Sequence, residues 1–193
     1  MNEADPRVKR TRKLLRDAFV ELLAEKSFHA INVQEVADRA TLNRATFYAH
    51  FVDKYALLDY VVGEWFHDEL VNAGLDTAPY SEASLRHLVA TVMHFVGNFH
   101  SGCRPADRDL EPMLETKLQA ELALFLQGWL GERPGTDEPG LSAKLVSWAI
   151  FGSAIDWARG EDAESLDARI DAILKFVLNG LGASARTEAL VPA

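Results

Sequence analysis

Arg44, Thr46, Tyr48 and His50 are the side chains best placed to do chemistry in this chain. All four bear hydrogen-bonding groups, and they fall within one seven-residue run. Phe47 and Phe51, one helical turn apart, supply the apolar face that buries the same run against a core. The chemistry is recognition rather than bond-making. An arginine grips guanine O6 and N7 in a bidentate way, which makes Arg44 the candidate base reader. Thr46 suits a thymine methyl or a phosphate, Tyr48 a phosphate through its hydroxyl, and His50 either. A short rigid helix with these groups outward is what a DNA major groove requires of a reading head.

The neighbouring residues are those needed to hold such a helix. Residues 32–54 read as two short helices, a tight turn, and the start of a third helix. Asn32 with Glu35 forms a capping-box pair, and Ile31 with Val36 forms a hydrophobic staple. Val33, Val36, Ala37 and Ala40 give the first short helix its apolar side. Asn43 caps the second. Lys54 opens the next helix, where a cation opposes the helix dipole. A residue that weakens its own helix suggests another purpose, here a phosphate contact. Asn32 and Gln34 are placed for the same role, with plain solvent exposure the alternative for Gln34. Upstream, Arg7, Lys9, Arg10, Arg12, Lys13 and Arg16 lie in ten residues without an acid. Arg10 and Arg12 are expected to meet phosphates or the minor groove.

The charge is uneven. Residues 1–60 hold ten Lys and Arg against nine Asp and Glu, whereas residues 61–193 hold ten against twenty, for a chain total of −9. An acidic body resists indiscriminate nucleic-acid binding while a local basic patch still meets phosphates. A single cysteine excludes a disulfide framework, and no apolar run follows the polar first residues or is long enough to span a bilayer. A cytoplasmic location is expected. There is no Gly-Lys-Ser/Thr phosphate loop, nucleophile-elbow serine or His-Glu-x-x-His, so an enzyme is not expected.

Period-3.6 patterning runs throughout, with no period-2 alternation. An all-α fold of about nine helices is expected, with a loop over residues 131–140 and no amphipathic pattern from Ala183 onward. His87, Thr91, His94 and Asn98 form a polar stripe on the fifth helix, readable as its solvent side. Residues 145–158 are apolar almost all round, so that helix needs cover on two sides. A second copy of the chain is the expected cover. Trp148, Phe151, Gly152 and Ile155 would meet it together with Ile170, Leu174 and Val177 of the last helix. A monomer's central core helix is the alternative. His94, His100 and Cys103 match no metal-site spacing, and no metal or cofactor is expected.

The basic first helix, the Val33-Gln-Glu-Val-Ala-Asp-Arg-Ala segment, the Thr46-Phe-Tyr-Ala-His-Phe segment and Asp53-Lys54 with Leu57 together resemble the tetracycline-repressor (TetR) family of transcriptional regulators. The resemblance covers residues 9–58. It departs at Thr41, where the family usually has glycine; a β-branched residue resists positive φ. The resemblance implies a helix-turn-helix DNA-binding domain over residues 1–53, a helical effector-binding and dimerising body over 54–182, and a disordered tail over 183–193. It also implies an effector pocket, for which Trp65, Thr91, His94, Phe95, Asn98, Phe99, Met113 and Phe125 are the candidates. The expected function is a homodimeric repressor, released from a pseudo-palindromic operator by a small molecule. A helical protein-binding adaptor and an effector-independent DNA-binding protein remain as alternatives.

Overall fold

A computed structural model describes residues 5–131, 138–160 and 165–187, with side chains through Leu181. The loop expected over 131–140 falls mostly on residues 132–137, and the end of the expected tail on 188–193; both lie outside the described residues. Among the described residues there are eight α-helices, two 3₁₀ turns and no strand. None of these helices is long and apolar enough to cross a membrane. The chain divides into two compact units, Met1–Glu64 with Cys103–Leu114, and Trp65–Gly102 with Glu115–Ala193.

The first unit begins with α1 (Pro6–Glu25). Asp5 caps it by accepting from Arg7 N at 2.8 Å, and Pro6 occupies the first turn, where no amide partner is needed. Its buried side is Val8, Leu15, Ala18, Phe19 and Leu22. A 3₁₀ turn (Phe28–Ala30) leads to α2 (Val33–Arg39), α3 (Arg44–His50) and α4 (Lys54–Asn72). The expected capping box is present: Glu35 N donates to Asn32 Oδ1 at 3.0 Å, and Asn32 N donates to Glu35 Oε2 at 3.0 Å. Asp53 caps α4 by accepting from Ala56 N at 2.8 Å.

The turn between α2 and α3 explains the departure at Thr41. Leu42 N donates to Ala37 O at 2.8 Å and Thr41 N to Asp38 O at 3.0 Å. This pair is a Schellman ending, and it requires a left-handed residue between Ala40 and Leu42. Thr41 adopts φ 58°, so threonine fills a conformation that favours glycine.

The segment Cys103–Leu114 belongs to this first unit. The segment, which includes a 3₁₀ turn (Pro105–Leu110), is fastened to the end of α1 and the α1–α2 connection by three bonds: Phe28 N to Asp107 Oδ2 (3.1 Å), His29 Nε2 to Asp109 (3.0 Å), and Arg104 Nη2 to Ala24 O (2.6 Å). A division at residue 53, drawn where α4 starts, leaves out both this segment and the first turns of α4.

The second unit is built on α5 (Glu82–Gly102), the rest of α4, α6 (Glu111–Gly131), α7 (Pro139–Ala158) and α8 (Leu166–Thr187). α5 packs most heavily on α7 and also meets α8. Gly97 permits this approach, since a Cβ there would sit 3.0 Å from the Trp157 ring. α8 continues to Thr187, past the point where the amphipathic pattern stops.

Candidate nucleic-acid interface

α3 is held from below and left open above. Phe47 is fully buried and Phe51 nearly so, stacked at a tilt 5.9 Å apart. Burial of two phenyl groups fixes the rotation of a seven-residue helix that would not persist alone. Asn43 Oδ1 accepts from both Thr46 N (2.7 Å) and Thr46 Oγ1 (2.9 Å). Asn43 and the Thr46 hydroxyl are therefore tied up in the cap, which leaves the threonine methyl as its readable group.

Arg44 and Tyr48 are exposed and touch each other. The Arg44 guanidinium carbon lies 5.4 Å from the Tyr48 ring centroid, and Nη2 donates to the Tyr48 hydroxyl at 3.2 Å. The Tyr48 ring itself stands edge-on to buried Phe47 at 5.5 Å. His50 is half-buried. Burial lowers its pKa, and the nearby Arg12 guanidinium lowers it further. Its buried Nδ1 has no hydrogen-bond partner among the described residues. Burial and the Arg12 charge both disfavour the charged ring, which weakens it as a phosphate ligand.

On α2, Gln34 is exposed and donates to Asp38 at 2.7 Å, while Asn32 is occupied by the capping box and a further bond to Glu35 at 2.8 Å. The basic residues of α1 divide in two. Arg7, Lys9, Arg10 and Lys13 are exposed. Arg12 instead lies over the rings of Phe51 and Tyr60, 5.6 Å from each centroid. It is a cation–π brace tying α1 to α3 and α4.

Lys54 is the clearest revision. Its ammonium donates to the carbonyls of Phe28 (3.0 Å), His29 (3.2 Å) and Ile31 (2.8 Å). An ammonium has three protons, and these bonds use all of them. Lys54 clamps the end of the 3₁₀ turn, where a cation suits the exposed carbonyls, and it is not free to grip a phosphate. Burial lowers its pKa, while the charge of nearby Asp107 opposes that shift. Asp107, itself buried, has no local sequence signal and is not legible without the fold.

In the second unit the pocket candidates separate. Thr91 is buried, and its hydroxyl is bonded back to His87 O at 2.9 Å. His94 and Asn98 are exposed, on the solvent side of α5 rather than in an interior. Phe95 is half-buried, edge-on to Phe66 at 5.3 Å and stacked on Phe99 at 6.4 Å. Phe125 joins a different group with Trp129 (4.8 Å), which meets Tyr80 (6.2 Å). Trp65 is half-buried, and Met113 falls in the first unit.

The residues expected to meet a second copy divide by burial. Phe151, Ile170, Leu174 and Val177 are buried in the protomer's own core. Trp148 and Gly152 are exposed and Ile155 half-buried. They share the outer side of α7 with Leu141 and Leu145, while α8 adds Phe176, which is 70% exposed. Two apolar stripes on one helix look alike in sequence; only packing decides which one faces inward.

Residues 15–61 match the bacterial regulatory proteins of the tetR family. The uncharacterized HTH-type transcriptional regulator YxbF of Bacillus subtilis is 39% identical over 61 residues, which cover 31% of this chain and 16% of that protein. The HTH-type transcriptional repressor KstR2 of Rhodococcus jostii is 24% identical over 185 residues, 86% of this chain and 89% of that one. Among solved structures, Thermus thermophilus FadR, a TetR-family repressor in complex with lauroyl-CoA, superposes with a TM-score of 0.63 at 19% identity, covering 88% of this chain and 94% of that one.

Proposed function

Because residues 15–61 match the bacterial regulatory proteins of the tetR family, we propose that this chain is a homodimeric transcriptional repressor that reads an operator with α3 and leaves it when a small molecule enters the second unit. The observation that carries the reading is α3 itself: Arg44 and Tyr48 stand outward on a helix whose other side is locked by buried Phe47 and Phe51. A two-fold dimer would present two such helices about one DNA turn apart, so the operator is pseudo-palindromic. The outer row of α7 with Phe176 supplies the apolar surface for the second copy.

The two aromatic clusters, Phe66–Phe95–Phe99 and Tyr80–Phe125–Trp129, favour an apolar effector. Lauroyl-CoA, bound by the Thermus thermophilus relative, is the natural first probe. Selection of random duplex DNA on the purified protein tests the DNA reading, and recovery of an inverted repeat supports it. Lauroyl-CoA added to that complex then tests the effector class: release of the duplex supports an acyl thioester, and retention excludes it. Failure to enrich any sequence contradicts the repressor reading.

A further inference from the structure

Arg44 occupies the first position of α3, where its charge opposes the helix dipole. Among the described residues no carboxylate pairs with it; its contacts are with Tyr48, through the ring face and the hydroxyl. The ring also meets fully buried Phe47 edge-on, with centroids 5.5 Å apart. A chain of contacts therefore runs from the core through Tyr48 to the guanidinium. One guanidinium N–H is spent on the tyrosine oxygen, and a guanidinium has five, which leaves more than the two a bidentate grip requires. The other outward groups on α3 are more committed, since the Thr46 hydroxyl is bonded to Asn43 and His50 is half-buried.

We propose that Tyr48 is a positioning residue that orients the Arg44 guanidinium toward O6 and N7 of a guanine, and that each operator half-site carries a guanine at that point. The proposal rests on α3 being the DNA-reading helix and specifies which base it reads and how. An arginine free in solvent must lose its rotamer freedom on binding; one that rests against a neighbouring ring and hydroxyl has less of it to lose. Tyr48 thereby acts on discrimination at one base rather than on general affinity.

The test uses the full-length protein and the duplex enriched by the wild type, with single guanines replaced by 7-deazaguanine, which lacks the N7 acceptor. Wild type should lose affinity about ten- to a hundredfold at one guanine per half-site. Arg44→Ala should be indifferent to that replacement. Tyr48→Ala should cut the penalty to about threefold or less while leaving the penalties at other guanines unchanged. Arg44→Ala with Tyr48→Ala should behave as Arg44→Ala alone. Tyr48→Phe, which keeps the ring and loses the acceptor, should fall between wild type and Tyr48→Ala. Tyr48 is 46% exposed, so these variants should fold, with matching thermal midpoints as the control.

A Tyr48→Ala protein that binds every duplex more weakly by one factor, with the 7-deazaguanine penalty intact, overturns the proposal and makes Tyr48 a phosphate or scaffold residue. So does a wild type that binds its selected duplex with no guanine sensitive to Arg44. A wild type that enriches no sequence overturns the DNA reading itself, and the positioning role with it.

Discussion

Single side chains in this protein do different work from what their chemical type announces. Lys54 and Arg12 are cations near the helix proposed to read DNA, yet each is used internally, one on three carbonyls and the other over two rings. Replacing Lys54 by Met should destabilise the protein by about 1–3 kcal/mol, the cost of orphaning partly buried carbonyls. It should leave the salt dependence of DNA binding unchanged, because no phosphate contact is lost; urea unfolding and salt titration together check this. His50 makes a second residue-scale prediction. Its folded pKa lies below that of an unfolded histidine, about 6.5, so on acidification the unfolded chain takes up the proton first. Stability should therefore fall as the pH drops below about 6.5, and His50→Gln should flatten that part of the profile. Urea midpoints at neutral pH and below pH 6 measure it. Neither internal role was legible in the sequence, because Lys54 acts on carbonyls 23 to 26 residues away and Arg12 lies over rings 39 and 48 residues further on.

At the scale of elements, what the sequence made legible was local. The caps at Asn32, Asn43 and Asp53 each bond an amide three residues on, so both short helices and the start of α4 could be placed from side-chain type and spacing. The Thr41 turn was legible as a departure and acquires its cause here: a Schellman ending holds a β-branched residue at φ 58°. Thr41→Gly should relieve that strain and raise stability by about 1 kcal/mol, net of the greater freedom glycine has in the unfolded chain. Equal or lower thermal stability in the glycine variant would mean that the threonine side chain earns its place through contacts. The faces of α7 were not legible, since a helix apolar nearly all round gives no phase by which to tell core from partner surface.

On the scale of the whole molecule, charge is divided along the chain: residues 61–193 are acidic and the start of α1 is basic. The second copy required by a two-fold operator should dock on the outer row of α7 and on Phe176. Exchange of Leu145 and Trp148, both more than 60% exposed, for Glu should give a monomer by sedimentation with the protomer's own stability little changed. Phe151→Ala, by contrast, should cost the protomer about 3–5 kcal/mol because that ring is core.

The central claim, that α3 and the exposed cations of α1 form one DNA-reading face, is tested most directly by titrating the selected duplex and a scrambled duplex against salt. If Arg7, Lys9, Arg10 and Lys13 of two copies each neutralise one phosphate, log affinity against log salt should have a slope of about −7. The selected sequence should remain the tighter of the two throughout. A shallow slope, or equal affinity for both duplexes at every salt concentration, would contradict it.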